Sequence, residues 1–266
     1  MGVEETYSER SLFGLEGKWV LITGASSGIG RATANIFALC GCRLLLLDID
    51  ELGLKKTLEG ISFPDRHTVF CVDLGKKEKI DEFWGGIEIS PEILINIAGV
   101  YPFQNYGSLS ESEYQKTLDI NMNSVFWMCQ NFINRRDKMG GVIVNVASIE
   151  AILPFKQDLI PYCMSKSGVI ALTRSIARDF GRKGFRANVV LPGAIKTPGT
   201  KSLVVEGIKK LRFDLLATAI DFQHRLALGR WGRPEEVAKV ILFLASDLAS
   251  YVQGALVPVD GGFLSS

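Results

Sequence analysis

Seven short apolar runs recur along the chain, at residues 18–23, 43–47, 67–72, 93–97, 141–146, 186–191 and 255–259. Most lack the alternation of apolar and polar residues that marks a strand with one wet face. Such runs are strands covered on both sides, and only a largely parallel sheet sandwiched by helices offers that cover. The spaces between them fit. Amphipathic patterns predict helices from the turn after residue 23 to about 39, then over 51–59, 76–84, 110–134, 158–180 and 234–245. Strand and helix in regular alternation over 266 residues point to one large α/β domain, 17–266, behind a poorly ordered arm at 1–16. A long irregular piece, about 194–229, reads as a lid near the strand ends.

Charge and composition exclude several classes. The formal net charge is +1, which gives no electrostatic case for nucleic acid or an anionic membrane. No apolar run is long enough to span a bilayer, and Met1–Arg10 is polar with three glutamates, unlike a signal peptide. The five cysteines form no Cys-x-x-Cys pair, which suits a reducing compartment, and the expected location is cytoplasmic. The two histidines stand far apart, so no metal site is expected.

Three positions carry the functional signal. Gly24-Ala-Ser26-Ser27-Gly28-Ile29-Gly30 follows the first strand at once and opens a helix. A glycine-rich turn there lets a pyrophosphate approach the backbone and meet the positive end of the helix. Asp48 ends the second strand, about 20 residues on, where a carboxylate accepts from ribose hydroxyls and repels a 2′-phosphate. No lysine or arginine lies inside the turn, so NAD is expected over NADP. The other reading of Asp48 is a helix cap, although Asp50 is placed to do that itself. Asp73, with Leu74, contacts adenine or caps the next helix. Asn96, Ala98 and Gly99 leave room above the fourth strand or form a plain tight turn. Asn121, inside the 110–134 helix, is a core polar group or a site residue.

The third position is Ser148 to Lys166. Ser148 lies just past the fifth strand, where open parallel sheets bind ligands. Tyr162 and Lys166 are four apart and share one helix face. A nearby ammonium would favour the phenolate and lower the tyrosine's proton affinity, so the pair suits proton transfer at an alcohol or ketone oxygen. An ordinary exposed Tyr/Lys pair is the bland alternative. Glu150 hydrogen-bonds a polyol, pairs with a cation or, in the favoured reading, faces solvent.

The ordered set Thr23-Gly24-x-x-x-Gly28-x-Gly30, Asn96-x-Ala98-Gly99, Asn121, Ser148, Tyr162-x-x-x-Lys166, Pro192-Gly193 and Val259-Asp260-Gly261-Gly262 resembles the classical short-chain dehydrogenases/reductases over roughly residues 15–263. The resemblance implies a Rossmann-like, three-layer, doubly wound α/β fold with a seven-stranded parallel sheet. It implies Tyr162 as general acid/base, Lys166 as its partner and a ribose ligand, Ser148 on the substrate oxygen, and Asn121 holding a water that links Lys166 to solvent. Ile195 and Thr197 would hold the carboxamide. It further implies a homotetramer. The expected function is NAD-dependent interconversion of a small secondary alcohol and a ketone. The alternatives are an NADP-dependent 3-oxoacyl-thioester reductase and a non-catalytic nucleotide-binding sensor or scaffold.

Overall fold

The computed structural model describes residues 13–200 and 225–266. Seven parallel strands form one sheet: β1 (Trp19–Thr23), β2 (Arg43–Asp48), β3 (Thr68–Cys71), β4 (Ile93–Asn96), β5 (Gly141–Val146), β6 (Phe185–Pro192) and β7 (Leu256–Val259). Their spatial order is β3-β2-β1-β4-β5-β6-β7. The helices are α1 (Gly28–Leu39), α2 (Glu51–Gly60), α3 (Lys77–Gly86), α4 (Glu111–Leu118), α5 (Ser124–Arg135), α6 (Ile160–Phe180) and α7 (Pro234–Ala245). This is the α/β fold that the alternating apolar and amphipathic runs imply, in the Rossmann-like form that the resemblance implies.

Alternate residues of each strand feed different cores. Leu21, Leu45, Leu47, Leu94 and Ile143 pack with Phe83, Trp84, Met128, Phe132 and Val169 from α3, α5 and α6. Val20, Ile22, Leu44, Leu46, Ile93 and Val144 pack with Phe37, Leu54, Val237 and Ile241 from α1, α2 and α7. Full burial of each Leu, Ile or Phe contributes about 1.5–3 kcal/mol, which is why these strands tolerate no polar alternation. No described helix is long and apolar enough to cross a membrane.

The chain crosses from one side of the sheet to the other after β3, because β1 is flanked by β2 and β4. The loops leaving β1 and β4 therefore diverge and open a crevice at their carboxyl ends. Thr23 closes its base: its Oγ1 accepts from the main-chain N–H of Ile97 at 3.1 Å and of Ala98 at 3.2 Å. Gly24, at φ +72°, passes so near Ala98 that a Cβ there would stand 2.7 Å from its nitrogen. A Cβ on Gly30 would collide with the Gly24 carbonyl oxygen. Both glycines are thus required by close approach as well as by the turn.

Two elements differ from the sequence expectation. The helix expected over 110–134 is interrupted by a π-helical turn at Asp119–Asn123. That turn lets Asn121 reach sideways to the main chain after β4. Its Oδ1 accepts from Val100 N–H at 2.7 Å and its Nδ2 donates to the Val100 carbonyl at 2.9 Å. The second difference is at the amino-terminal end. Phe13–Leu15, read as part of a poorly ordered arm, are packed. Leu15 is 1% exposed, and its carbonyl accepts from Cys42 Sγ at 3.3 Å. Residues 1–12, and the central part of the expected lid at 201–224, lie outside the described residues.

Candidate active site

The glycine turn delivers its N–H groups to the crevice at the start of α1. That helix begins at Ser27 with no side-chain cap and no acidic residue in its first turn, so its free N–H groups and positive end stay available to an anion. Asp48 stands beside the turn. Its Oδ2 accepts from Ser26 N–H and its Oδ1 from Asp50 N–H, both at 3.0 Å. Asp50, not Asp48, caps α2, accepting from Gly53 N–H. These residues fit an adenine dinucleotide: anion-binding amides at one end, a carboxylate for a ribose at the other.

Arg31 lies close to this corner, and its position in the sequence, directly after Gly30, gives no hint of its partners. Its guanidinium donates to the carbonyls of Ser26 and Gly53 and to Thr57 Oγ1. It is thereby committed to the protein's own main chain.

The other expected cofactor residues fall into two groups. Ala98 and Gly99 line the crevice, with Gly99 exposed. A Cβ on Gly99 would stand 3.1 Å from Asn121 Oδ1 and 3.3 Å from Lys166 Nζ, so its absence keeps those groups reachable. Thr197 and Pro198 lie against Gly28 from across the crevice, and Thr200 Oγ1 holds the loop by donating to the Ile195 carbonyl at 2.8 Å. The Ile195 side chain is buried against the α1/α7 core. Asn96 does not face the crevice. Its Nδ2 donates to Asn145 Oδ1 at 2.8 Å inside the sheet, a polar pair between two strands otherwise apolar. Leu74 is buried in the core. The Asp73 carboxylate accepts from Gly75 N–H at 3.0 Å and meets Lys76 at 3.8 Å, and it does not cap α3, whose N-cap is Lys76 with no side-chain cap bond.

Asn121, Ser148, Tyr162 and Lys166 are brought together past the ends of β4 and β5. The Ser148 hydroxyl is near enough to the Tyr162 phenol to act on it. Lys166, 4% exposed, donates from Nζ to the Val146 carbonyl at 3.0 Å and lies 5.9 Å from the Tyr162 ring centre. The electrostatics correct one expectation. Burial pushes the Tyr162 phenol up, well above its ordinary value; the Ser148 hydroxyl pulls the other way but loses. Burial also pulls Lys166 down to about 8. Desolvation therefore outweighs any lowering of the phenol by the lysine in this structure.

A second wall stands beside the tyrosine. Tyr101 meets Tyr162 edge-on with ring centres 4.6 Å apart, and meets Phe103 at 5.3 Å. Lys156 Nζ lies 5.4 Å above the Tyr101 ring. Glu150, expected to face solvent, is 3% exposed. Its Oε2 accepts from Phe155 N–H at 2.8 Å, and Ser148 Oγ accepts from Glu150 N–H at 3.2 Å.

A family model described as enoyl-(acyl carrier protein) reductase matches residues 24–264. The chain belongs to the short-chain dehydrogenase/reductase family. It is 34% identical to dehydrogenase/reductase SDR family member 6 of Rattus norvegicus, covering 94% of this chain and 98% of that one. It is 35% identical to the 3-oxoacyl-[acyl-carrier-protein] reductase FabG of Thermotoga maritima, covering 94% and 99%. Among solved structures, an Agrobacterium tumefaciens protein described as a 2-deoxy-D-gluconate 3-dehydrogenase, with bound NADP, superposes with a TM-score of 0.86 at 28% identity, covering 96% and 100%. A 4-hydroxyisoleucine dehydrogenase complexed with NADH superposes with a TM-score of 0.84 at 29% identity, covering 94% and 100%. The chain is thus an NAD(P)-dependent oxidoreductase of this family.

The buried lysine makes a measurable prediction. Below about pH 8 native Lys166 is charged and the burial cost is present in full. Between about 8 and its ordinary 10.5 the native side chain has lost its proton while the unfolded chain keeps it, so stability rises with pH there. Buried Cys42 and Cys129 and half-buried Cys163 act in the opposite direction above their ordinary 9.0, in wild type and variant alike. The difference in unfolding free energy between wild type and Lys166→Met should shift towards wild type by up to about 3 kcal/mol across that window. Denaturant titrations of the cofactor-free proteins at several pH values measure it. A difference independent of pH would show that the burial cost is absent.

Proposed function

We propose that the chain interconverts a secondary alcohol and a ketone with NAD as the preferred cofactor, with Tyr162 as the general acid/base. One observation carries this reading. The Ser148 hydroxyl lies close enough to Tyr162 to act on its phenol beyond the end of β5, and Lys166 Nζ lies 5.9 Å from the Tyr162 ring centre. The dinucleotide, when bound, accepts or supplies hydride at the carbon. Gly24, Ser26, Ser27, Gly28, Ile29 and Gly30 would hold its pyrophosphate, and Asp48 its adenosine ribose. Ala98, Gly99, Ile195, Thr197 and Lys166 would hold its nicotinamide half. Asp73, Leu74 and Asn96 are retained in the proposed set only through their main chain or as support.

The roles follow from the chemistry. Ser148 and Tyr162 present two hydroxyls to the substrate oxygen. In ketone reduction the half-buried, neutral phenol is already the acid and donates its proton to the developing alkoxide. In alcohol oxidation the same oxygen must accept a proton, and the Lys166 ammonium offsets the negative charge that would otherwise be costly in so buried a place. Asn121, whose amide is anchored on Val100, would hold the water that reconnects Lys166 with solvent. The five unpaired thiols support a reducing, cytoplasmic setting.

A reading as a 3-oxoacyl-thioester reductase using NADP is favoured by the likeness to FabG. The corner at Asp48 opposes the NADP part of it. A 2′-phosphate there would meet a carboxylate, and the nearby Arg31 already spends its donors on Ser26, Gly53 and Thr57. The homotetramer is supported by apolar side chains left open on α5 and α6, among them Phe126 at 41% and Met164 at 50% exposure.

Three outcomes test this. Tyr162→Phe should lower turnover by about 100-fold or more and still bind NADH, by stopped-flow and fluorescence titration; turnover near the wild-type rate would remove the tyrosine from its role. Fluorescence titration should show NADH binding tighter than NADPH, and Asp48→Ser should narrow the gap by about tenfold; tighter NADPH binding by the unaltered protein would refute the preference. Light scattering should give four times the chain mass, and a monomeric mass contradicts the assembly.

A further inference from the structure

Tyr101 touches Tyr162 directly. The two rings meet edge-on, with centres 4.6 Å apart and planes 89° apart, at the near end of the range that such pairs occupy. Tyr101 lies on the loop after β4, and that loop is tied on both sides of it. Val100, the residue before, has its N–H and its carbonyl both bonded to the Asn121 side chain, at 2.7 and 2.9 Å. Further on, Gln104 N–H donates to the Asp158 carbonyl at 2.8 Å, just ahead of α6, the helix that carries Tyr162. Between these ties Pro102 fixes its own φ and disfavours helical backbone at Tyr101. The Tyr101 ring is flanked in turn by Phe103, edge-on at 5.3 Å, and by Lys156 Nζ at 5.4 Å from its centre. A stiff loop therefore sets a fixed ring against the side of Tyr162.

Tyr162 has a use for such a support. A tyrosine on a helix has more than one open χ1 well, and a change of well swings the phenol oxygen well away from its place. Ser148 acts at the hydroxyl end of the side chain, whereas Tyr101 meets the ring itself. Proton transfer to one substrate oxygen tolerates little error, because a displacement of about 1 Å at a reacting group can cost about 100-fold in rate. Resting on the reading of Tyr162 as the general acid/base, we propose that Tyr101 is a positioning residue whose ring holds the Tyr162 ring in the orientation that aims its phenol at the substrate oxygen. The contact is made by the ring and not by the hydroxyl. Burial pushes the Tyr101 phenol up and keeps it protonated, so this side chain brings no charge to the site.

The test uses the full chain with Tyr101→Phe, which keeps the ring, and Tyr101→Leu, which removes it. The first readout needs neither cofactor nor substrate. In protein labelled with 3-fluorotyrosine, the fluorine resonance missing from Tyr162→Phe belongs to Tyr162. The neighbouring ring should displace that line in wild type and in Tyr101→Phe, and in Tyr101→Leu the line should move towards the position of free fluorotyrosine. A line that Tyr101→Leu leaves in place would overturn the proposal. The second readout is the reduction of butane-2,3-dione by NADH. Tyr101→Leu should lower kcat by about 10- to 100-fold, with KM and NADH affinity close to wild type, and Tyr101→Phe should restore kcat to within about twofold. Unchanged kcat in Tyr101→Leu, equal losses in both variants, or a loss matched by weaker NADH binding would each overturn the assignment and leave Tyr101 as packing. Tyr101→Met, unbranched and also without a ring, takes the place of Tyr101→Leu should that variant not fold. These failures leave the Tyr162→Phe result intact. Dione turnover retained by Tyr162→Phe, or none by the unaltered protein, would sink the parent reading and this one with it.

Discussion

Burial of the sheet on both faces is the constraint from which the rest of this molecule follows. Once α1, α2 and α7 cover one face and α3, α5 and α6 the other, polar chemistry has no place along the strands. The exceptions prove costly enough to need partners: Asn96 is tied to Asn145, and Asn145 in turn donates to Thr173 Oγ1 at 2.9 Å. Function is driven to the strand ends, and there the strand order decides which end. The neighbours of β1 leave it in opposite directions, so the crevice opens beside Gly24 and not elsewhere.

The same apolar surroundings govern the chemistry at that edge. Lys166 and Glu150 are buried and Tyr162 is half-buried, and for each the uncharged form is favoured by its loss of water. A phenol kept neutral is a ready acid, and a lysine drawn down to about 8 still carries its charge at neutral pH. The site is thus governed by desolvation, which is the largest effect on all three groups. Small changes in what fills the crevice can move the balance in either direction.

Much of this was legible in the chain. The five inner strands announce themselves, because a strand covered on both faces must be apolar throughout; the edge strands β3 and β7 are only partly covered and are legible from their mostly apolar residues. The glycine turn and the Ser148–Tyr162–Lys166 spacing were legible because close backbone approach and a shared helix face impose residue types locally. What escaped was set by distant contacts. The π-turn at Asp119–Asn123 depends on Val100, some twenty residues earlier, and has no compositional mark. Glu150 reads as a surface residue until the chain folds back and offers it the amides of Phe155 and Lys156. Asn96 reads as a ligand contact until its partner in the next strand is known. Phe13 to Leu15 read as a loose arm because the pocket for Leu15 is built from residues around Cys42 and Asp247.

The π-turn has a further consequence. By holding one residue more than an α-helical turn, it rotates everything after it about the rod's own axis relative to everything before. The α4 segment buries little beyond Thr117, while α5 presents Val125, Met128, Cys129, Phe132 and Ile133 inward. A rod of constant pitch carries one stripe from end to end; this one changes phase midway. The amide that breaks the pitch, Asn121, is also the one anchored over the crevice, so the alignment of the distant apolar stripe and the placement of a polar group are settled by a single slip in winding.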